Sequence, residues 1–250
     1  SWVTSGRLIG KSILYTDSIG AQQSTSAYEW NWNTGMGNWT GDQSAYLSWL
    51  WKRGAGFDVV TYTGGGTGQT VAHSLNAVPE MMWVKNRGAS ADWAVYHKGL
   101  NGGTNPEQKY LVLNSNAAEA DNSNRWSDTA PTSTSFTVGG SNSVGDGSAT
   151  YIAMLFASAN DADGNPISKV GYYTGNGTSG LEITVGFQPR FVIIKNIDTT
   201  YSWVTLDTQR GWESGNDKLL RLDLQDGEVT ADYGAPTSTG FTVTSNSSVN

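Results

Sequence analysis

Cysteine is absent from the 250 residues, histidine occurs twice, and no run of eighteen apolar residues appears. The first absence excludes disulfides and thiolate metal centres. It leaves the compartment open, because a reduced cytosol and a robust extracellular fold both permit a cysteine-free chain. The second leaves His73 and His97 as the only imidazoles, and neither stands in a nucleophile elbow or a His-x-x-x-His pattern. The third excludes a membrane-spanning helix, and no charged-then-apolar leader opens the chain. Charge is scarce too: 15 Lys and Arg against 22 Asp and Glu give a net charge of −7. The basic residues are dispersed, so no basic stripe is available for a phosphate backbone, and nucleic acid is not an expected partner. A first residue other than Met fits a processed chain or a fragment.

What is abundant is turn and strand chemistry. The 31 glycines, with many Thr, Ser, Asn, Trp and Tyr, read as short strands joined by turns, and helix formers never gather into an amphipathic stretch. The expected fold is all-β.

Much of the segment from Phe57 to Ser158 is written twice. Tyr62-Thr63-Gly64 returns as Tyr173-Thr174-Gly175; Pro79, Lys85 and Trp93 return as Pro189, Lys195 and Trp203; Phe136-Thr137-Val138 returns as Phe241-Thr242-Val243. Shifts that shrink between matched blocks are what loop deletions leave in a diverged duplication. The spacing, a little over a hundred residues, exceeds that of a solenoid unit and predicts copies that each own a core. We therefore expect tandem antiparallel β-sandwiches of lectin-like or jelly-roll-like form: a partial repeat over 1–56, a first full repeat over 57–158, a linker over 159–167, and a second repeat over 168–250. Ala45 to Trp51, an apolar run that fits a strand buried on both faces, aligns with Thr150 to Phe156, so the chain opens on the closing half of a further copy. Strands are also expected near Phe57 to Tyr62 and Ser135 to Val138 in the first copy and near Lys169 to Tyr173 and Gly240 to Val243 in the second. The second copy stops at Ser248-Val249-Asn250, which matches Ser143-Val144-Gly145, one central strand short. That strand is expected from further chain, another subunit or the N-terminal segment.

Several phrases carry a resemblance. Thr70 to Leu75 leading into Val78 to Lys85, then Tyr110 to Asn114, Ala118-Glu119 and Thr150 to Ala153, with Ser168 to Gly175 and Arg190 to Lys195 in the second copy, resemble a repeat family in virion structural proteins of tailed bacteriophages, many of them marine. The resemblance implies a tail-fibre or capsid-surface appendage. The expected protein is a non-catalytic homo-oligomer, with trimers favoured. It would sit in the virion beside other virion proteins and present a surface for host attachment or assembly, with no cofactor.

Three features bear on chemistry. Trp30, Trp32 and Trp39 lie among Asn and Gly without an echo in the later copies. Flat aromatic faces beside amide hydrogen bonders suit either a glycan-binding loop, as in a lectin-like adhesin or tailspike that contacts host surface sugars, or an interface with a neighbouring copy or subunit. Asp161, Asp163 and Asn165 have the oxygens and the nearby Gly164 of a calcium loop, but not its twelve-residue pattern or terminal Glu, which a linker turn also explains. Trp93 and Trp203 recur at matched positions, which points to packing between sheets. No carboxylate stands in a diagnostic catalytic context.

Overall fold

The computed structural model describes residues 2–27, 30 and 46–250. It is nearly all strand. In chain order the strands are β1 (Val3–Thr4), β2 (Ser12–Tyr15), β3 (Gln23–Ser24), β4 (Phe57–Thr63), β5 (Gln69–Ala72), β6 (Met81–Asn86), β7 (Ala94–His97), β8 (Lys109–Val112), β9 (Ala120–Asp121), β10 (Ser135–Val138) and β11 (Thr150–Phe156). They continue as β12 (Ala159–Asn160), β13 (Pro166–Ser168), β14 (Leu181–Thr184), β15 (Phe191–Ile194), β16 (Val204–Asp207), β17 (Asp217–Arg221), β18 (Val229–Ala231) and β19 (Gly240–Val243). The α-helix among the described residues, Ser123–Trp126, is a single turn capped by the Asn122 side chain.

Every pairing is antiparallel. The largest sheet has the order β4-β11-β6-β7-β8-β9, and the pair β5/β10 forms a separate two-stranded sheet. A four-stranded sheet, β15-β16-β17-β18, and the pair β14/β19 follow further along, and β1-β2-β3 form a small sheet at the start. The strand alternation explains the layers. Met82 and Val84 of β6, with Tyr151, Ala153 and Leu155 of β11, point toward Val71, Phe136 and Val138 of β5/β10 and close one core. Trp83, Ile152, Met154 and Phe156 point the other way. There they meet Ile9 and Leu14 of the N-terminal segment and Ile193 and Trp203 of the second sheet. A third core lies between that sheet's other face, through Ile194, Val204, Leu206 and Leu219, and Phe241 and Val243 of β19. Strands β6 and β11 are therefore apolar on both faces, which is why they read as unbroken hydrophobic runs.

Two expected strands do not form. Residues 46–51 were expected as a buried central strand, with Ala45 outside the described residues; they are coil, and Leu50 is 65% exposed. Lys169 to Tyr173 was expected as the counterpart of β4 and is also coil. The reason is the same in both places. A strand exists only with a neighbour to complete its backbone hydrogen bonds, and β4 is a strand because β11 pairs with it along all seven residues. Among the described residues nothing plays that part for 46–51 or for 169–173. The stretch 159–167, expected as a plain linker, is most of a hairpin formed by β12 and β13.

Within its sheet β6 has a partner on each side, β11 and β7, whereas β15 pairs with β16 alone among the described residues. The outward-pointing amides of β15 should therefore exchange with solvent at least about tenfold faster than those of β6 in hydrogen-exchange mass spectrometry. Equal protection would mean that the edge of β15 is already covered.

Candidate functional site

A junction of three tryptophans, each placed just ahead of a short strand, ties distant segments of the chain together. Trp2 precedes β1, Trp93 precedes β7 and Trp203 precedes β16. Each is fixed locally in the same way. The backbone N–H of Trp2 donates to Asp17 Oδ1 (3.1 Å), that of Trp93 to Asn114 Oδ1 (2.8 Å), and that of Trp203 to Asp223 Oδ1 (2.9 Å). The carbonyls of the three tryptophans accept from the N–H groups of Thr16, Leu113 and Leu222.

The indole N–H groups then cross between segments in a closed cycle. Trp93 Nε1 donates to the Tyr15 carbonyl (2.8 Å), Trp203 Nε1 to the Val112 carbonyl (3.0 Å), and Trp2 Nε1 to the Arg221 carbonyl (2.7 Å). Each acceptor lies two residues before the Asp or Asn that holds another tryptophan of the trio. Trp93 and Trp203 are buried and Trp2 is half-buried. The sequence carried a signal for the third member that goes unused when only Trp93 and Trp203 are compared: Ser1-Trp2-Val3-Thr4 is repeated letter for letter as Ser202-Trp203-Val204-Thr205.

Two lysines reinforce the same contacts. Lys85 is fully buried, and its ammonium donates to the carbonyls of Ala91 (2.6 Å) and Ile19 (2.9 Å). Lys195 donates to those of Asn196 (2.5 Å) and Asn116 (3.3 Å). Ile19 and Asn116 each lie two residues beyond the junction residues Asp17 and Asn114. The backbone agrees, since Gln22 N–H donates to the Arg87 carbonyl and Glu119 N–H to the Ile197 carbonyl. Burial lowers both lysines to about 8, opposed by Asp92 near Lys85 and by Asp223 near Lys195.

The remaining buried ionisable groups also hold loops. Burial pushes the Asp58 carboxyl up, but the Ser74 and Val59 N–H groups and the Arg53 guanidinium outweigh it and hold it below the usual range. Burial acts the same way on Glu80 and is outweighed by Lys98 and by the N–H and hydroxyl of Ser158. His97 is driven down to about 4 by burial and by neighbouring Lys98, and its Nδ1 accepts from Gly99 N–H. It is neutral at physiological pH and forms part of a turn.

The residues singled out by sequence are not brought together. Trp30 is half-buried and its indole donates to Ser5 Oγ (2.7 Å); Trp32 and Trp39 lie outside the described residues. Asp161 Oδ1 accepts from the N–H groups of Asp163 (3.0 Å) and Asn165 (2.8 Å), so this carboxylate closes the β12–β13 turn. Its pKa is lowered by the Asn165 side chain and backbone. Among the described residues no group of three His, Cys, Asp or Glu side chains is placed to hold a metal ion. Two shallow clefts, of about 150 Å³ beside Gly180, Asp232 and Gly234 and about 280 Å³ beside Asn160, Pro166 and Lys169, fall below the size usual for small-molecule sites.

Replacing Trp93 by Ala should lower unfolding free energy by about 3–5 kcal/mol, as loss of a buried indole does elsewhere, with a smaller loss for Trp2→Ala at its half-buried position. Urea unfolding measures both. The lysines give a pH signature. With a folded-state value near 8 and an unfolded value near 10.5, the folded chain holds fewer protons between those limits, so stability rises with pH through that window. Lys85→Met should flatten the part of the rise due to Lys85, measured as unfolding free energy from pH 7.5 to 10.

Comparison with known proteins adds a family. No curated protein and no solved structure matches the chain. One sequence profile matches residues 8–250, so a single family unit spans all three tryptophan-bearing sheets except the first few residues. The chain belongs to the family described as a domain of unknown function, DUF7483.

Proposed function

We propose that this chain is a non-catalytic structural component of a bacteriophage virion, part of a tail-fibre or capsid-surface appendage, built from repeats of one sandwich-like β unit. In this reading residues 57–158 form the complete unit and 168–250 a second. Residues 1–56 form part of a third, with Trp2, Trp93 and Trp203 as equivalent positions. The sheet order β6-β7-β8-β9 is matched by β15-β16-β17-β18, the pair β5/β10 by β14/β19, and the trio β7-β8-β9 by β1-β2-β3.

The observation that carries the proposal is the cycle of indole N–H to carbonyl bonds, because it engages buried Trp93 and Trp203, half-buried Trp2 and their matched polar residues in holding units together. Lys85 and Lys195 are used in the same manner, through the carbonyls of Ile19 and Asn116. A scaffold of this kind leaves its loops free to vary while the frame stays rigid, which is what an attachment or assembly surface requires. The partners in this reading are further copies of the chain, with trimers favoured, and other virion proteins; a host surface glycan is the candidate receptor for the exposed loops.

The test is location. Antibody raised against the chain, with gold detection by electron microscopy, should decorate purified particles of the encoding phage at a fixed site. Intact particles that carry no label and no peptide of this chain by mass spectrometry would end the proposal.

A further inference from the structure

We infer that the peptide bond between Lys52 and Arg53 is a cleavage site for an endopeptidase of basic specificity, and that the cut chain stays together as one body held by contacts alone.

Lys52 and Arg53 are the only adjacent pair of basic residues in the sequence. They lie between the N-terminal segment and β4, outside any strand, and every residue from 50 to 55 is exposed. Among the described residues, the backbone N–H and carbonyl groups of residues 47–53 have no hydrogen-bond partner. A protease grips its substrate as an extended segment through such groups, and exposed connections of this kind are where folded chains are nicked. The other exposed basic residues are closed to that grip. The carbonyls of Arg7, Lys11 and Arg190 accept from the N–H groups of Gly10 (3.3 Å), Thr25 (3.0 Å) and Thr208 (3.0 Å). Lys218 is inside β17, and the Val170 N–H that follows Lys169 donates to Ser158 Oγ (3.1 Å).

The anchors on either side select the bond. Upstream, the Trp49 ring stacks on Trp2 at 5.2 Å and meets Phe191 at 4.9 Å. Downstream, Arg53 Nε donates to Asp58 Oδ1 (2.6 Å), and Gly54 and Phe57 exchange N–H to carbonyl bonds of 3.0 and 3.2 Å. Asp58 therefore holds the Arg53 side chain, and the Phe57 carbonyl holds the Gly54 amide, so the Arg53–Gly54 bond is guarded at both groups. The Lys52 side chain is exposed and reaches a specificity pocket that ends in a carboxylate, the feature that selects a basic residue. Hydrolysis adds one water across the bond. The Lys52 carbonyl carbon takes the hydroxyl, the Arg53 nitrogen takes the proton, and no further reactant is consumed.

The N-terminal piece keeps its hold on the rest after the cut. The indole bonds of Trp2 to the Arg221 carbonyl and of Trp93 to the Tyr15 carbonyl both cross between the two pieces. So do the bonds from Thr16 Oγ1 to the Leu222 carbonyl (3.0 Å) and from Lys85 to the Ile19 carbonyl (2.9 Å). Ile9 and Leu14 are buried in the core that also holds Trp83 and Trp203. Cleavage thus converts the first sheet from a covalently joined part into a clasped one and leaves the fold as it was.

Brief trypsin treatment of the full chain in native buffer, read by intact mass, tests the site. The first products expected are residues 1–52 and 53–250. Lys52→Gln should slow the first cut at least about tenfold, because the specificity pocket loses its charge partner; Lys169→Gln should leave the rate unchanged. A first cut elsewhere, one after Arg53 included, or an undiminished rate for Lys52→Gln overturns the assignment. On native size-exclusion chromatography the two pieces should elute together at the volume of the uncut chain and separate in urea. Separation without urea overturns the clasp. End-group sequencing of the chain recovered from its natural source should find Arg53 as a second N-terminus, and uncut chain throughout overturns the processing role.

Discussion

Three indole N–H groups, each donated to a backbone carbonyl far away in sequence, hold this fold in register. Their partners are 78, 91 and 219 residues distant along the chain. A single neutral hydrogen bond contributes about 1 kcal/mol net, so the bonds alone do not make the structure stable. Their weight comes from position. Each ring fills the space between two sheets while its one polar atom finds an acceptor, and burying that N–H without a partner would cost more than the bond returns. The packing of the sheets and the direction of the rings therefore stand or fall together.

The buried charges follow from the same arrangement. A lysine fully inside a protein is unfavourable unless its three donors are met, and Lys85 meets carbonyls at the two loop ends that the junction brings side by side. Asp58 collects the N–H groups of Val59 and Ser74 and the Arg53 guanidinium, and Glu80 collects the N–H and hydroxyl of Ser158 and the Lys98 ammonium. These residue types would suggest chemistry if they lined a cleft. Here they face backbone, and they stiffen loops.

Much of this was legible in the residues. The recurrence of Lys85 as Lys195 and of Trp93 as Trp203 located matching strands, and Ser135–Val138 and Gly240–Val243 form with the limits expected of them. Two kinds of feature were not legible. Strands of two or three residues, such as β3, β9 and β18, have no periodicity to read and exist only because a longer neighbour offers its edge. Conversely, 46–51 and 169–173 have strand-like sequences without being strands, since pairing is a property of two segments and a pattern belongs to one. The candidate sugar-binding and calcium residues were chosen by type. In the fold, Trp30 gives its N–H to a serine and Asp161 closes a hairpin turn, roles that composition does not distinguish from ligand binding.

The bond from Trp2 to Arg221 joins the first sheet to the last, so the body is latched into a loop instead of strung out like beads. Tension applied across such a body cannot be taken up by straightening the connections between its parts. It meets the latch first, and the molecule resists stretching up to the load at which that clasp gives way.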